Sequence, residues 1–266
     1  MDERSLRKTL SEIPLGGLRY FRQTGSTNDV ALAWAAAGAP DLALVCAEEQ
    51  TAGRGRGDRR WFTPPGAALA FSLVLRPRPG EQTVPLFSAL GALAVCTALE
   101  ALGLQPEIKW PNDVLLNRRK VCGILAESVW TGERVDSIVL GIGVNIKAEA
   151  VPPPDQLNFP ATYLEVELAL HKSQEVESSS DRLALLRGIL QGILYWRNLM
   201  ATRDFLQAWE SRLAFHGEQV EVGGLGQEAR VGRVDGLDED GSLRLFSPQG
   251  DVFKVAIGEI HLRLVV

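Results

Sequence analysis

The chain has 266 residues and a formal net charge of -5 at pH 7, which is enough length for one large domain and one small one. An acidic chain is not expected to bind nucleic acid in general, because such binding depends on a basic surface. The three cysteines lie in apolar runs, which is typical of buried thiols in a reducing compartment. Without a signal-peptide pattern or an apolar run of membrane-spanning length, the sequence predicts a cytoplasmic protein.

Helical and strand patterns mix along the first 214 residues, which predicts an α+β domain with a mixed sheet covered by helices. In chain order the predicted elements are a helix at 2–10, a strand at 18–23, a helix at 29–37, strands at 42–47 and 67–75, a helix at 82–102, a hairpin at 109–127, a strand at 136–146, and helices at 181–199 and 201–213. Pro85 and Gly91 are candidate breaks in the long helix. The segment from residue 152 and the polar stretch 172–180 are predicted to be irregular and carry no obvious chemistry.

After residue 215 the pattern changes from helical spacing to alternation. Short strands are predicted at 219–222, 229–234, 243–246 and 252–255, with turn signals between the later ones. The sequence therefore predicts two domains, at 1–214 and 215–266, of which the second is a small β-barrel.

The stretch from Gln50 to Trp61 alternates glycine with arginine. Glycines let a backbone turn its N–H groups inward, and the forked donors of Arg54 and Arg56 suit carboxylate or phosphate oxygens. These features predict an anion-binding loop that becomes ordered around its ligand, as a lid does. The stretch alone does not separate that interpretation from a solvated basic loop or an RNA-binding arginine-glycine segment.

Two other polar stretches are candidates for a binding site. The turn at residues 24–28 precedes a helix, so its side chains could cap that helix or could bind a neutral polar ligand. Lys109, Asn112 and Asp113 lie in or beside the predicted hairpin, where Lys120 and Gly123 flank a point at which a strand could closely approach a ligand. The three histidines are far apart, so neither a zinc site nor a histidine triad is predicted.

Five motifs, in this order and spacing, resemble those of biotin protein ligases: Ser26-Thr27-Asn28; Gln50 with Gly53-Arg54-Gly55-Arg56 and Trp61; Lys109-Trp110-Pro111-Asn112-Asp113; Lys120 with Gly123-Ile124-Leu125; and Gly141 to Asn145. The resemblance implies the biotin ligase fold, which is similar to class II aminoacyl-tRNA synthetases, over roughly residues 15–213. It also implies a C-terminal SH3-like barrel. Such enzymes activate biotin with ATP as biotinyl-5′-adenylate and then transfer it to one lysine of a biotin carboxyl carrier domain.

The resemblance also assigns roles. It makes Lys120, Arg56 and Asp113 the catalytic candidates, with Asp113 as the proton partner of the incoming lysine and as the candidate magnesium ligand. Mg²⁺ is expected to accompany ATP. The residues that it assigns to biotin are Ser26, Thr27, Asn28, Gln50, Gly53, Arg54, Gly55, Arg56, Lys120 and Gly123. The residues that it assigns to ATP or the adenylate are Arg56, Trp61, Lys109, Asn112, Asn145 and Arg263.

The implied partners are biotin, ATP and the carrier domain of an acetyl-CoA or acyl-CoA carboxylase. No DNA or membrane partner is predicted, because the chain has no room for an N-terminal winged-helix domain and has no membrane span. A homodimer is left open. Cys122, where alanine is common in the family, is expected to be a buried, inert thiol. Lipoate ligases, which share the fold and the adenylate chemistry, are the alternative enzyme, and an RNA-binding module is the non-enzymatic alternative.

Overall fold

Two β-sheets, six α-helices and two short 3-10 helices, at Ala148–Ala150 and Pro154–Gln156, form the regular structure in the part of the chain that the computed structural model describes. That part covers residues 1–78, 84–171, 181–224, 229–256 and 260–264, the last by backbone alone. The elements of the larger sheet and its helices are α1 (Glu3–Thr9), β1 (Gly17–Phe21), α2 (Thr27–Ala36), β2 (Ala43–Ala47), β3 (Ala68–Leu75), α3 (Val84–Glu100), β4 (Pro106–Lys109), β5 (Asp113–Leu116), β6 (Arg119–Thr131), β7 (Arg134–Asn145), α4 (Leu164–His171), α5 (Arg182–Arg197) and α6 (Arg203–Glu210).

The larger sheet has seven strands in the order β1-β2-β3-β7-β6-β5-β4. Only β1 and β2 run parallel to each other, and the other neighbours are antiparallel, so the predicted mixed sheet is confirmed. Every residue of β2 and β3 is buried, which explains why β2 is a continuous apolar run and β3 is apolar except for Ser72. Leu73 and Val74 of β3 belong to different apolar clusters, so the sheet is covered on both faces.

Helix α3 runs unbroken through both positions at which the sequence suggested a break. Pro85 lies in the first turn, where a missing backbone N–H removes no helical hydrogen bond. Gly91 faces the sheet, and a Cβ atom there would lie 3.1 Å from the side chain of Ile124. The glycine therefore lets the helix approach the sheet closely.

Other elements differ from the prediction in smaller ways. Helix α2 begins at Thr27, so the polar turn runs into the first turn of the helix. Helix α4 was not predicted, because residues 164–171 follow an irregular segment rich in proline. The predicted polar loop at 172–180 lies outside the described residues.

The second sheet consists of β8 (Gln219–Gly224), β9 (Arg230–Leu237), β10 (Leu243–Phe246), β11 (Val252–Val255) and β12 (Ile260–Leu264). It is antiparallel, in the order β11-β10-β9-β8-β12. The predicted C-terminal β structure is confirmed in this coarser form. A closed barrel is not found among the described residues, because β11 and β12 are the two ends of the pairing order instead of neighbours.

The two sheets share one hydrophobic core, since Val220 and Leu243 belong to the same apolar cluster as Phe71. A buried hydrogen bond also joins them: the indole Nε1 of Trp110 donates to the carbonyl oxygen of Gly241 at 3.1 Å. Among the described residues, no helix has the length and apolar character needed to cross a membrane.

Candidate functional site

A cavity of about 730 Å³ lies beside β6 and β7 of the larger sheet. It gathers most of the predicted site residues, although they come from five separate parts of the sequence. Those that line it are Ser26, Thr27, Asn28, Gln50, Arg54, Gly55, Arg56, Trp61, Lys109, Asn112, Asp113, Lys120, Gly123 and Asn145. Their convergence on one cavity makes it the candidate active site.

Two predicted residues do not join this lining. Gly53 lies at the base of the glycine-arginine loop, where Trp61 N donates to the Gly53 carbonyl oxygen at 2.9 Å. A Cβ atom at Gly53 would lie 2.4 Å from the Trp61 carbonyl oxygen, so the glycine allows the two arms of the loop to meet. Arg263 belongs to β12, whose side chains lie outside the described part of the chain, and its contact with ATP stays a prediction.

The glycine-arginine loop folds back on itself as a short hairpin. Gly55 N donates to the Arg59 carbonyl oxygen at 2.7 Å, and Arg54 and Arg60 form an isolated antiparallel bridge. Gly57 has φ of 65°, a left-handed conformation that glycine adopts without strain. The loop therefore has its own hydrogen bonds at one edge of the cavity, and its movement as a lid stays a prediction.

The guanidinium group of Arg54 contacts carboxylates of the protein itself. It donates to both oxygens of Glu127, at 2.8 and 2.6 Å, and lies 2.8 Å from Oδ1 of Asp29. Burial works against its positive charge, but the two carboxylates outweigh burial and raise the pKa of Arg54. Arg54 thus anchors the loop to β6 and α2. Sequence reasoning missed Glu127, because an isolated glutamate in a strand gives no signal of its partner.

A hydrogen-bond network holds the polar turn before and within α2. Oε1 of Gln50 accepts from the backbone N of Thr27 at 2.8 Å and from its hydroxyl at 3.0 Å. The amide of Asn28 donates to Glu127 at 2.7 Å and accepts from the Ser72 hydroxyl at 2.5 Å. These neutral groups lie at the cavity in fixed orientations.

Ser26 decides between the two interpretations of that turn. It occupies the N-cap position of α2, yet its side chain makes no capping hydrogen bond in the described structure. The residue is nevertheless buried and lines the cavity. This geometry favours a ligand-binding role over a capping role for Ser26.

Three charged side chains, those of Lys109, Asp113 and Lys120, meet at the wall of the cavity. Nζ of Lys120 lies 2.6 Å from Oδ1 of Asp113, and Nζ of Lys109 lies 3.7 Å from Oδ2. Burial alone would raise the pKa of Asp113, but the two lysines more than compensate and hold it below its usual value. Burial lowers the pKa of Lys109 despite the nearby carboxylate, and the charges of Lys120 and Arg59 lower it further. Asp113 is therefore ionised, and as a low-pKa carboxylate it is a weak base.

The indole ring of Trp61 packs on two glycines of the sheet. A Cβ atom at Gly143 would lie 2.3 Å from the ring, and one at Gly123 would lie 3.0 Å from it. Nζ of Lys120 is 5.5 Å from the ring centroid. Among the described residues no acceptor pairs with the buried Nε1 of Trp61, so this donor could serve a ligand.

Two asparagine amides are tied to the backbone of the cavity wall. Nδ2 of Asn112 donates to the carbonyl oxygen of Ile124 at 2.6 Å. Nδ2 of Asn145 donates to the carbonyl oxygen of Thr162 at 3.0 Å. Both amides are thereby fixed in orientation at the cavity.

One wall comes from the segment that sequence reasoning set aside as irregular. Its cavity-lining residues are Ala150, Pro152, Pro153, Gln156, Leu157, Asn158, Phe159 and Ala161. Nζ of Lys109 lies 4.7 Å from the ring centroid of Phe159, which ties this wall to the charged cluster. The segment has no periodic pattern, so its prolines were the only sequence signal.

The cavity gives little support for a protein-bound metal ion. No group of three or more histidine, cysteine, aspartate or glutamate side chains suited to a metal occurs in the described ranges. Asp113, the candidate magnesium ligand, has both oxygens near lysine ammonium groups.

Cys122 is buried, and burial raises the pKa of its thiol, which favours the inert form.

Residues 20–145 match the model of the Biotin/lipoate A/B protein ligase family. The chain is 34% identical over 253 residues to the bifunctional ligase/repressor BirA of Bacillus subtilis, covering 92% of this chain and 74% of that protein. It is 37% identical over 236 residues to the biotin--[acetyl-CoA-carboxylase] ligase of Paracoccus denitrificans, covering 86% and 93%. The structure of Aquifex aeolicus biotin protein ligase with biotin and ATP is similar at a TM-score of 0.76 and 26% identity, covering 94% of this chain and 99% of that one.

Proposed function

The chain belongs to the biotin protein ligase family, and from this premise we propose that it activates biotin with ATP and transfers it to a carrier protein. The first product is biotinyl-5′-adenylate, and pyrophosphate is released. The acceptor is one lysine of the biotin carboxyl carrier domain of an acetyl-CoA or acyl-CoA carboxylase, for which the name of the Paracoccus denitrificans relative gives support. The observation that carries the proposal is one cavity that is lined both by a neutral polar turn and by two lysines paired with Asp113.

The first step joins two anions, so it requires positive charge at the reacting atoms. A carboxylate oxygen of biotin attacks the α-phosphorus of ATP, and the bond from that phosphorus to the bridging oxygen breaks as pyrophosphate leaves. We assign Lys120 and Arg56 to neutralise the carboxylate and the α-phosphate. Lys109 would keep Asp113 neutralised when Lys120 moves towards the substrate, because both lysines contact the same carboxylate.

In the second step the amine of the carrier lysine attacks the biotinyl carbonyl carbon, and AMP leaves. The amine must lose a proton, and Asp113 was the predicted acceptor. Its lowered pKa makes it a weak acceptor, so we assign Asp113 chiefly to the orientation of Lys120. The same two ion pairs make Asp113 a poor fit as a magnesium ligand, and no step here depends on the metal.

The two substrates are assigned to different walls. The neutral side chains of Ser26, Thr27, Asn28 and Gln50 suit the uncharged ureido ring of biotin, and hydrogen bonds hold the last three in place. Gly53, Arg54 and Gly55 would act on biotin through the loop, while Gly123 gives room beside Lys120. ATP and the adenylate are assigned to Arg56, Trp61, Lys109, Asn112, Asn145 and Arg263.

The domain organisation is proposed on the same basis. The change from the larger sheet to the second sheet after α6 supports a catalytic domain at 1–214 and a C-terminal domain at 215–266. We propose that the second sheet belongs to an SH3-like module. The homodimer and the cytoplasmic location stay predictions.

Biotin-dependent exchange of labelled pyrophosphate into ATP tests the first step directly. The parent protein should exchange pyrophosphate with biotin and should not do so with lipoate. Exchange with lipoate alone would identify a lipoate ligase, the other activity within the matched family model. Failure with both acids, together with RNA retention in filter binding, would favour the binding module.

A further inference from the structure

Helix α4 carries a buried carboxylate that the chemistry above does not use. Glu167 is 1% exposed and accepts hydrogen bonds from three side chains. Its donors are Arg119 NH2 at 2.8 Å, Asn117 Nδ2 at 2.6 Å, and the hydroxyl of Thr162. A buried carboxylate with three donors from two other chain segments fixes those segments relative to each other.

Of the two segments that Glu167 joins, one directly precedes Lys120 in the chain and the other is hydrogen-bonded to its backbone. Asn117 lies in the turn between β5 and β6, and Arg119 begins β6 directly before Lys120. On the other side, Lys120 N donates to the carbonyl oxygen of Pro160 at 2.8 Å, and Thr162 N donates to the carbonyl oxygen of Lys120 at 2.9 Å. The backbone of Lys120 is therefore held between two segments that Glu167 connects.

The same carboxylate is connected to Asn145. Thr162 donates its hydroxyl to Glu167, and its carbonyl oxygen accepts from Nδ2 of Asn145 at 3.0 Å. Glu167 therefore connects, through Thr162, the residue assigned to the biotin carboxylate and a residue assigned to ATP. None of its hydrogen bonds reaches the polar turn, which Gln50, Ser72 and Glu127 hold.

We infer that Glu167 is a positioning residue that sets Lys120 and Asn145 relative to each other and so acts on ATP use and adenylate formation. Its effect on binding of the biotin ring is small, because that contact belongs to a separate network. The inference rests on the proposed function, since it names ATP and biotin as the two ligands.

The matched pair Glu167→Gln and Glu100→Gln tests the inference. Glutamine keeps the size of residue 167 but replaces one acceptor oxygen with an NH₂ group, so it cannot accept from all three donors. Glu100 is a control for the loss of an arginine–carboxylate contact away from the cavity, because this exposed residue receives two hydrogen bonds from Arg212 and does not line the cavity. Thermal unfolding first establishes that each variant is folded.

For Glu167→Gln we expect the KM for ATP to rise and the pyrophosphate exchange rate to fall, with kcat/KM for ATP reduced roughly 10- to 100-fold, as displaced positioning groups cause. The calorimetric Kd for biotin alone should rise by a clearly smaller factor than the KM for ATP, because Lys120 is assigned only to the carboxylate of biotin and the ring belongs to a separate network. Glu100→Gln should match the parent in both. Glu167→Ala should be worse than Glu167→Gln, since glutamine retains part of the hydrogen bonding.

Thr162→Val tests the connection to Asn145 and also covers the case in which a Glu167 variant fails to fold. It should raise the KM for ATP, and its effect should be less than additive with that of Glu167→Gln, because both remove one shared hydrogen bond. Unchanged ATP kinetics in both folded variants would overturn the inference. Equal weakening of biotin binding and ATP use would also overturn the inference, because it would indicate a general loss of structure at the site. Lack of biotin-dependent exchange in the parent would instead refute the proposed function.

Discussion

At the residue scale, Asp113 and Lys120 show how burial and charge act on single side chains. Nζ of Lys120 lies 2.6 Å from Oδ1 of Asp113, and the side chain of Asp113 is only 8% exposed. Removing either partner leaves a charge in a cavity wall with fewer counterions, which costs more than the loss of an exposed ion pair. These two residues are therefore informative targets for substitution.

Lys120→Ala should leave the fold intact and reduce pyrophosphate exchange about 100- to 1,000-fold, the range for loss of one electrostatic group at the reacting atoms. We expect this loss because Lys109, the other lysine that contacts Asp113, cannot take the place of Lys120. Its Nζ lies farther from the Asp113 carboxylate, at 3.7 Å. The exposed Lys147 is a suitable control, and Lys147→Ala should exchange normally. Normal exchange in Lys120→Ala would move the catalytic role to Lys109.

Asp113→Asn should destabilise the protein by roughly 3 kcal/mol near pH 7, because the buried ammonium group of Lys109 and the partly buried one of Lys120 lose their counterion. The folded-state pKa of Asp113 is depressed below 3.8, so its stabilising contribution is fully present above about pH 5 and is lost as pH falls through the folded pKa. Urea unfolding from pH 7 to pH 5 should show a constant difference from the parent, and the difference should shrink at lower pH.

The exposed Asp251 provides the comparison, since Asp251→Asn should change the free energy of unfolding by less than about 0.5 kcal/mol. An Asp113→Asn variant as stable as Asp251→Asn would mean that the two lysines do not depend on this carboxylate.

At the element scale, the glycine-arginine loop combines a fixed base with a tip that could open. Arg54 and Glu127 anchor the base, and Gly57 forms the tip. A loop that covers the adenylate would keep water and foreign amines away from the mixed anhydride. Arg56, which lines the cavity beyond the anchor, is the residue through which closure can be tested.

Arg56→Gly should bind biotin more weakly and release its adenylate about tenfold faster or more, since a hydrogen bond to a charged group contributes roughly 1.5–3 kcal/mol. Released adenylate would acylate lysines of unrelated proteins. The measurement is biotin incorporation into albumin at equal adenylate production, with adenylate release followed in a filter assay.

Asp58→Gly is the control, because it removes an exposed side chain of the same loop that does not line the cavity and adds the same backbone freedom. Equal labelling by both variants would attribute the leak to loop flexibility alone. No increase with Arg56→Gly would mean that the loop is not a lid.

Elements with a strong local pattern could be predicted from the sequence, and elements defined by distant partners could not. Strands β2 and β3 were predictable as predominantly apolar runs, and the glycine-arginine loop was predictable from its composition. Glu127 and Glu167 resemble ordinary surface glutamates in sequence, because their partners lie 73 and 50 residues away at Arg54 and Asn117. The wall at residues 150–161 has no periodicity from which to infer it.

At the scale of the whole molecule, the two sheets are not independent. The shared core means that removal of residues 216–266 would expose apolar groups of the larger sheet as well as remove the second one. The assignment of Arg263 to ATP predicts a division in which the C-terminal part serves ATP use more than biotin binding. That division is better tested by a single substitution at the contact between the sheets than by truncation.

Trp110→Phe keeps an aromatic ring but removes the donor to Gly241, so it should destabilise the protein by about 1–3 kcal/mol through an unpaired buried carbonyl and a small void. Urea unfolding measures the change. Trp130→Phe removes an N–H that donates to Ser128 at an exposed position and should change stability by less than about 0.5 kcal/mol. Equal effects would show that the bond to Gly241 contributes nothing to stability.

The shared carboxylate of Asp113 has a consequence for the order in which products leave. Two lysines and one carboxylate leave the cluster with one net positive charge, and further arginines of the loop line the same cavity. Once the adenylate has formed, most of the negative charge resides on pyrophosphate, while the surrounding cations remain in place. Electroneutrality therefore favours retention of pyrophosphate, and its escape should become faster as added salt screens that attraction.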